Sequence, residues 1–193
     1  RDPERFWAFY RRRLDMADRY EPNPGHTFLA HLASFSKLSA VVTQNIEGLH
    51  QASGVDAALV HEEHGSVREL ECLSCGERFP WARLDELTVG TLPVCPCGEV
   101  LKPAVVLFEE MLPELAVERS IEAIGGCDLL LLIGSSLVVY PAAGLPGYRP
   151  AEAGLAVINN EPTSWGSDAD VWLSGDIAEQ CGGLSAGLGF AKA

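Results

Sequence analysis

At 193 residues the chain can bury one good-sized core, or a main domain with a small satellite, and 47% hydrophobic with 8% aromatic residues is too rich for a disordered segment. A formal charge of −13, from 27 acidic against 14 basic side chains, argues against phosphate-backbone binding as the main activity; it suits basic partners, or simply a well-solvated surface. No run reaches the roughly 18 uncharged apolar residues of a membrane span, since Leu129 to Val139 is broken by Gly134, Ser135 and Ser136, and Arg1, Asp2, Glu4 and Arg5 precede no apolar signal core. A cytoplasmic protein with neither nucleic-acid nor membrane partners is expected.

Asp2-Pro3-Glu4 supplies an N-cap acceptor, a ring suited to the first turn and a carboxylate at the positive end, so a helix is predicted from there. Phe6, Tyr10, Leu14 and Ala17 give it an apolar stripe, and Glu21-Pro22-Asn23-Pro24 ends it. A second helix is predicted from about Gly25 to Phe35, with Phe28, Leu29, Leu32 and Phe35 inward. Ala40-Val41-Val42 then reads as a short buried strand that empties into the polar run Thr43 to His50.

Cys127 to Ile133 and Leu155 to Ile158 repeat that pattern, ending at Gly134-Ser135-Ser136 and at Asn159-Asn160-Glu161. Continuous apolar strands alternating with helices imply an α/β fold: a Rossmann-like parallel sheet with helices on both faces and ligands at the carboxyl ends of its strands. Between Ser66 and Lys102 the rhythm stops, so residues 66–102 read as a small insertion in a main domain of residues 1–65 and 103–193.

The insertion carries Cys72-x-x-Cys75, 19 residues, then Cys95-x-Cys97, close to the spacing of a zinc ribbon. Four thiolates close a tetrahedral site and leave no position for substrate, so such a zinc is structural. The second pair is one residue short, which tightens its chelate loop. A disulfide pair and four unligated thiols are the alternatives. Cys127, in the predicted strand, and Cys181, in a late helix, read as packing residues.

Thr43-Gln-Asn-Ile-Glu-Gly-Leu-His50, His64-Gly65, the cysteines, Lys102 through Glu110, Gly134 through Ala143 and Ile158-Asn-Asn-Glu161, in this order, together resemble the sirtuins, NAD-dependent protein-lysine deacylases. The resemblance implies an acyl transfer from lysine to ADP-ribose with nicotinamide released, and NAD and zinc as cofactors. It makes His64 the general base toward a ribose hydroxyl, a task for which a group titrating near neutral pH is suited. Gln44 and Asn45, counted with His64 as catalytic, would hold the nicotinamide ribose, and Glu47, in the same cofactor-binding loop, stands where the family usually has aspartate. Gly134, Ser135 and Ser136 would approach ribose and phosphates, and Asn159, Asn160 and Ile177 complete the cofactor-binding set. His61 is left as structural.

By the same resemblance, acyl-lysine proteins or peptides are the partners, lying as an added strand between Val106, Phe108 and Glu109 on one side and Val139 and Tyr140 on the other. Glu109 stands where the family usually has glycine; a positive φ there would strain it. Tyr10 and Arg13 resemble the Tyr-x-x-Arg pair of the subgroup that removes succinyl and malonyl groups, in which the pair binds the acyl carboxylate.

The family also has a first strand, a Gly-Ala-Gly phosphate turn and a Pro-x-Phe-Arg segment before the point matched by Arg1. The sequence therefore reads as a piece of a longer protein, or else as a shortened relative, and NAD is expected to bind poorly without that turn. A zinc-bearing binding module without catalysis, and NAD-dependent ADP-ribosyl transfer to protein, are the rival readings. No Walker-type loop and no Gly-x-Ser-x-Gly elbow is present.

Overall fold

The computed structural model describes residues 2–17 and 19–190; the side chains of residues 15–17 are not described, so the inward place expected for Ala17 lies outside the described residues. The chain begins with helices α1 (Pro3–Ala17) and α2 (Pro24–Ser34), strand β1 (Val41–Thr43) and the one-turn helix α3 (Leu49–Ala52). Strands β2 (Val60–Glu62), β3 (Gly65–Cys72) and β4 (Arg78–Pro80), helix α4 (Leu84–Leu87), and strands β5 (Thr88–Val89), β6 (Leu92–Pro93) and β7 (Leu101–Val105) follow. Helix α5 (Glu114–Gly125), strands β8 (Leu129–Ile133), β9 (Gly154–Asn159) and β10 (Val171–Ser174), and helix α6 (Ile177–Gly187) complete it.

Two compact units result, one of Arg1–Glu21, Thr43–Leu49 and Glu62–Pro113, the other of Pro22–Val42, His50–His61 and Glu114–Ala193. In the first, Asp2 caps α1 as expected, its carboxylate accepting the Arg5 N–H at 3.0 Å. The stripe that α1 buries is centred one residue from the expected one. Trp7 is 1% exposed and Leu14 3%, whereas Phe6 and Tyr10 are half-buried beside them. The reason is the indole: it donates from Nε1 to the Leu101 carbonyl at 2.9 Å and stacks on Trp81, so the largest side chain finds both its apolar and its polar partner inside.

Strand β3 organises this unit, pairing antiparallel with β4 on one side and β7 on the other. Its buried residues Val67, Leu70 and Cys72 break a strict alternation, and the register with β7 shifts between Gly65 and Leu70. An irregularity there is what lets residues three apart face one core.

In the second unit β8, β9 and β10 form the parallel sheet, in the order β10-β9-β8, with Ile133 opposite Ile158 and Asn159 opposite Ser174. Alternate residues Leu131, Ile133, Ile158 and Leu173 pack with Phe28 and Leu29 of α2 and with Ile177 and Cys181 of α6. The expected α/β class is thus what forms, and Cys181 is a packing residue, fully buried. β1 and β2 pair as a separate two-stranded sheet.

Two expectations are corrected here. β8 starts at Leu129, leaving Cys127 half-buried outside it. Phe35 is 58% exposed: it follows the last turn of α2 and stacks on Phe190 instead of turning inward. β10 carries no long apolar run and was not foreseen.

Gly65 has φ +73°, and a Cβ on it would lie 2.1 Å from the Ala104 carbonyl oxygen, so β3 and β7 meet there main chain to main chain. Gly90 has a similar φ of +65° with no atom near its Cβ position. Gly90→Ala is expected to cost about 1 kcal/mol, from the left-handed backbone alone. Gly65→Ala should cost about 3 kcal/mol, because overlap with β7 adds to the same strain; urea denaturation midpoints of the two variants give the comparison.

Candidate active site

His64 sits one residue before β3, and its position is fixed by main-chain bonds on both flanks. The Glu63 N–H donates to the Thr43 carbonyl at 2.9 Å, and the Val106 N–H donates to the His64 carbonyl at 2.9 Å. Its ring Nδ1 lies 3.0 Å from the Gln44 carbonyl oxygen. A carbonyl only accepts, so Nδ1 carries the hydrogen, and in the neutral ring Nε2 is the nitrogen that holds the lone pair and can accept a proton.

The loop that holds this ring is itself tied down. The Asn45 N–H donates to Thr43 Oγ1 at 3.1 Å, the Val67 N–H to the Ile46 carbonyl at 2.9 Å, and Arg68 Nε to the Glu47 carbonyl at 3.0 Å. Gln44, Asn45 and His64 are therefore brought together on one rigid patch. The Glu47 carboxylate turns back to accept the Ile46 N–H at 3.1 Å, a local bond that its extra methylene permits.

In the same unit, Val106, Phe108 and Glu109 follow directly on β7. Phe108 is 99% exposed, and among the described residues its main-chain N–H and C=O have no hydrogen-bond partner. Glu109 has φ +74°, so the strain expected from a side chain at this position is present. Tyr10 is half-buried; burial raises its phenol pKa, Glu110 raises it further, and Arg13 lowers it. Arg13 is exposed and lies with its guanidinium 5.7 Å from the centre of the Phe9 ring.

The four cysteines converge at the far end of β3. Cys72 and Cys97 sulfurs are 3.5 Å apart, Cys75 and Cys95 sulfurs 3.6 Å, and all four lie within 4.8 Å of one another. Two turns of different size present them, the Gly76 N–H donating to the Cys72 carbonyl four residues back and the Gly98 N–H to the Cys95 carbonyl three residues back. The shortened Cys95-Pro-Cys97 step therefore still delivers both sulfurs. Hydrogen bonding by the Cys75 main chain brings the Cys72 thiol down to about 7; at Cys95 the Cys97 main chain pulls down, but burial and the crowd of neighbouring sulfurs together outweigh it and push the thiol up to about 12.

In the second unit the remaining candidates share the carboxyl edge of the parallel sheet. Gly134 follows β8 with φ +62°, and a Cβ there would meet Ile177 Cδ1 at 2.4 Å. Ser135 Oγ accepts the Leu137 N–H at 3.3 Å, tightening the turn in which Ser136 is exposed. Asn159 ends β9 and donates from Nδ2 to the Glu161 carbonyl at 2.8 Å; Asn160 is exposed beside it. Ile177 opens α6 behind the Asp176 cap. Val139 and Tyr140 are exposed, and His61 lies on β2 with Nδ1 3.4 Å from Ser120 Oγ.

One pair of residues escaped the sequence reading: buried Lys102 and the exposed Glu110, whose side chains meet at 2.9 Å. The signal available was a lone cation inside the apolar run from Leu101 to Val106, which demands a partner.

A family model described as the Sir2 family matches residues 1–141. An NAD-dependent protein deacylase 2 of Archaeoglobus fulgidus is 40% identical over 185 residues, covering 93% of this chain and 71% of that protein. An NAD-dependent protein deacylase of Mycobacterium tuberculosis is 38% identical over 190 residues, covering 95% and 78%. A solved structure of Sir2 bound to acetylated peptide superposes with a TM-score of 0.90 at 30% identity, covering 98% of this chain and 80% of that one. Sequence similarity along almost the whole length and a shared backbone agree with the motifs read in order along the chain, which belongs to the Sir2 family.

Proposed function

We propose that the chain is an NAD-dependent protein-lysine deacylase, transferring the acyl group of a modified lysine to ADP-ribose with release of nicotinamide. The observation that carries the reading is the His64 ring, locked by the Gln44 carbonyl with its free nitrogen able to accept a proton. The names of the relatives point the same way.

A turn at the carboxyl edge of a parallel sheet, as at Gly134 to Ser136 after β8, fits a dinucleotide. When bound, NAD would supply the ribose carbon that the acyl oxygen attacks as nicotinamide leaves. Gly134, Ser135, Ser136, Asn159, Asn160 and Ile177 would hold its phosphate and adenosine portions. Gln44 and Asn45 would orient the nicotinamide ribose, and Glu47 would stiffen their loop. His64 Nε2 would take the proton from a ribose hydroxyl as that oxygen adds to the acyl carbon.

The unpaired main chain of Phe108, with Val106 and Glu109 beside it, is suited to an added peptide strand, and Val139 and Tyr140 would take part in the same recognition. Tyr10 and Arg13 favour an acyl group ending in a carboxylate, succinyl or malonyl, because Arg13 leaves its guanidinium exposed one turn from the phenol. The cysteine sulfurs stand near the separation of about 3.8 Å that tetrahedral zinc with bonds of about 2.3 Å requires. In this reading residues 66–102 form a zinc-bearing module, with zinc on Cys72, Cys75, Cys95 and Cys97 as a structural cross-link.

Calorimetric titration with NAD separates an enzyme, which should bind it even if weakly, from a binding module without catalysis, which should not; mass spectrometry of the products should find O-acyl-ADP-ribose, and ADP-ribosylated protein instead would favour the transferase reading. His64→Ala is expected to lower kcat by about 100-fold or more while NAD still binds. Arg13→Met should reduce kcat/KM for a succinyl-lysine peptide about 10- to 100-fold with little change for the acetyl peptide, the loss of one charge-assisted pair; equal losses on both peptides would remove the acyl assignment. Metal analysis should find zinc, and a strong chelator should lower Tm by about 6 to 12 °C, corresponding to about 3 kcal/mol.

A further inference from the structure

Lys102 lies within β7, where Leu101, Pro103, Ala104 and Val105 are also buried, and only 9% of it is exposed. An ammonium in such a place is costly unless fully partnered. Its Nζ donates to the Val105 carbonyl at 2.8 Å and to Glu110 Oε2 at 2.9 Å. That same oxygen accepts the Leu107 N–H at 2.9 Å, and the Glu110 N–H donates to the Leu107 carbonyl at 3.0 Å. One ammonium thus ties the end of β7 to a turn of residues 107–110 through a single carboxylate oxygen.

The turn needs such a tie. Glu109 carries a left-handed φ of +74°, which costs a non-glycine residue about 1 to 2 kcal/mol. Phe108 at its tip is 99% exposed and contributes no packing. Glu110 remains ionised throughout the neutral range: burial pushes its carboxyl up, but the Leu107 N–H and Lys102 outweigh it and hold the group below the usual carboxylate value. The tie is therefore present above the ordinary carboxylate range and lost only as pH falls through the lowered value.

We propose that Lys102 is a positioning residue: acting through Glu110, it latches the Val106–Glu110 turn in the shape that receives the main chain of an acyl-lysine peptide. This role rests on the deacylase reading above, and it touches neither the reacting atoms nor NAD. The ion pair also borders a cavity of about 160 Å³ lined in part by Glu71, Arg78 and Val106, which gives a replacement side chain room.

The test compares the full chain with Lys102→Met, Glu110→Gln and Lys102→Arg. Amide hydrogen exchange at Leu107 and Glu110 should quicken about tenfold in the first two variants, the change being confined to residues 106–110. KM for an acyl-lysine peptide should rise about tenfold, equivalent to about 1.4 kcal/mol, with KM for NAD within about twofold. Lys102→Arg, which keeps the charge and donors, should recover most of both effects. Unchanged exchange, an unchanged peptide KM, or parallel rises in both KM values would overturn the latch. Should the unaltered chain fail to turn over any acyl peptide with NAD, the deacylase reading falls. The latch is then decided by exchange together with fluorescence anisotropy of a labelled acyl-lysine peptide, for which the same tenfold weakening is expected and an unchanged affinity refutes it.

Discussion

The contact between Gly65 and Ala104 leaves no space for a side chain, and the order of the first unit follows from it. Because β3 can press its main chain against β7 at that point, the His64 carbonyl comes within reach of the Val106 N–H. On the other flank, the Thr43 and Ile46 carbonyls take the N–H groups of Glu63 and Val67. The segment bearing His64 is thereby stitched between the Thr43–Leu49 loop and the end of β7, and the Gln44 carbonyl settles which ring nitrogen holds the hydrogen. Pre-organisation of this kind costs nothing at the moment of reaction, because the geometry is established when the chain folds.

The same main-chain economy makes the surface at the end of β7 a different problem. A turn made of Phe108 and Glu109 has no apolar reason to keep one shape, since its side chains point to solvent. Its shape is retained by charge, with Lys102 inside and Glu110 at the rim. Main-chain hydrogen bonds place the His64 ring and an ion pair holds the turn of residues 107–110; the first is insensitive to salt, the second only partly so.

Much of this was legible in the residues. The cysteine spacing, the histidine after a polar loop, the glycine-serine ending of β8 and the asparagines ending β9 carry their chemistry in their identity, and the parallel sheet follows from its apolar runs. What escaped depended on partners that residue identity does not name, some of them distant in sequence. Trp7 is central because Leu101 offers it a carbonyl, which no helical periodicity discloses. Phe35 is outside because Phe190 meets it there. Lys102 looked like an ordinary member of a motif until its two acceptors were found, and Glu47 hides its carboxylate in a one-residue bond no spacing rule anticipates.

β3 begins beside His64 and ends at Cys72. At about 3.3 Å per residue its length sets the cysteine cluster about 23 Å from the histidine segment, more than two Debye lengths in physiological salt. A dication at the cysteines would thus be electrically invisible to the imidazole. Any influence of the metal on the histidine segment therefore travels as mechanical tension along β3 and along β7, which pairs with it and leads to the Val106 N–H bonded to His64.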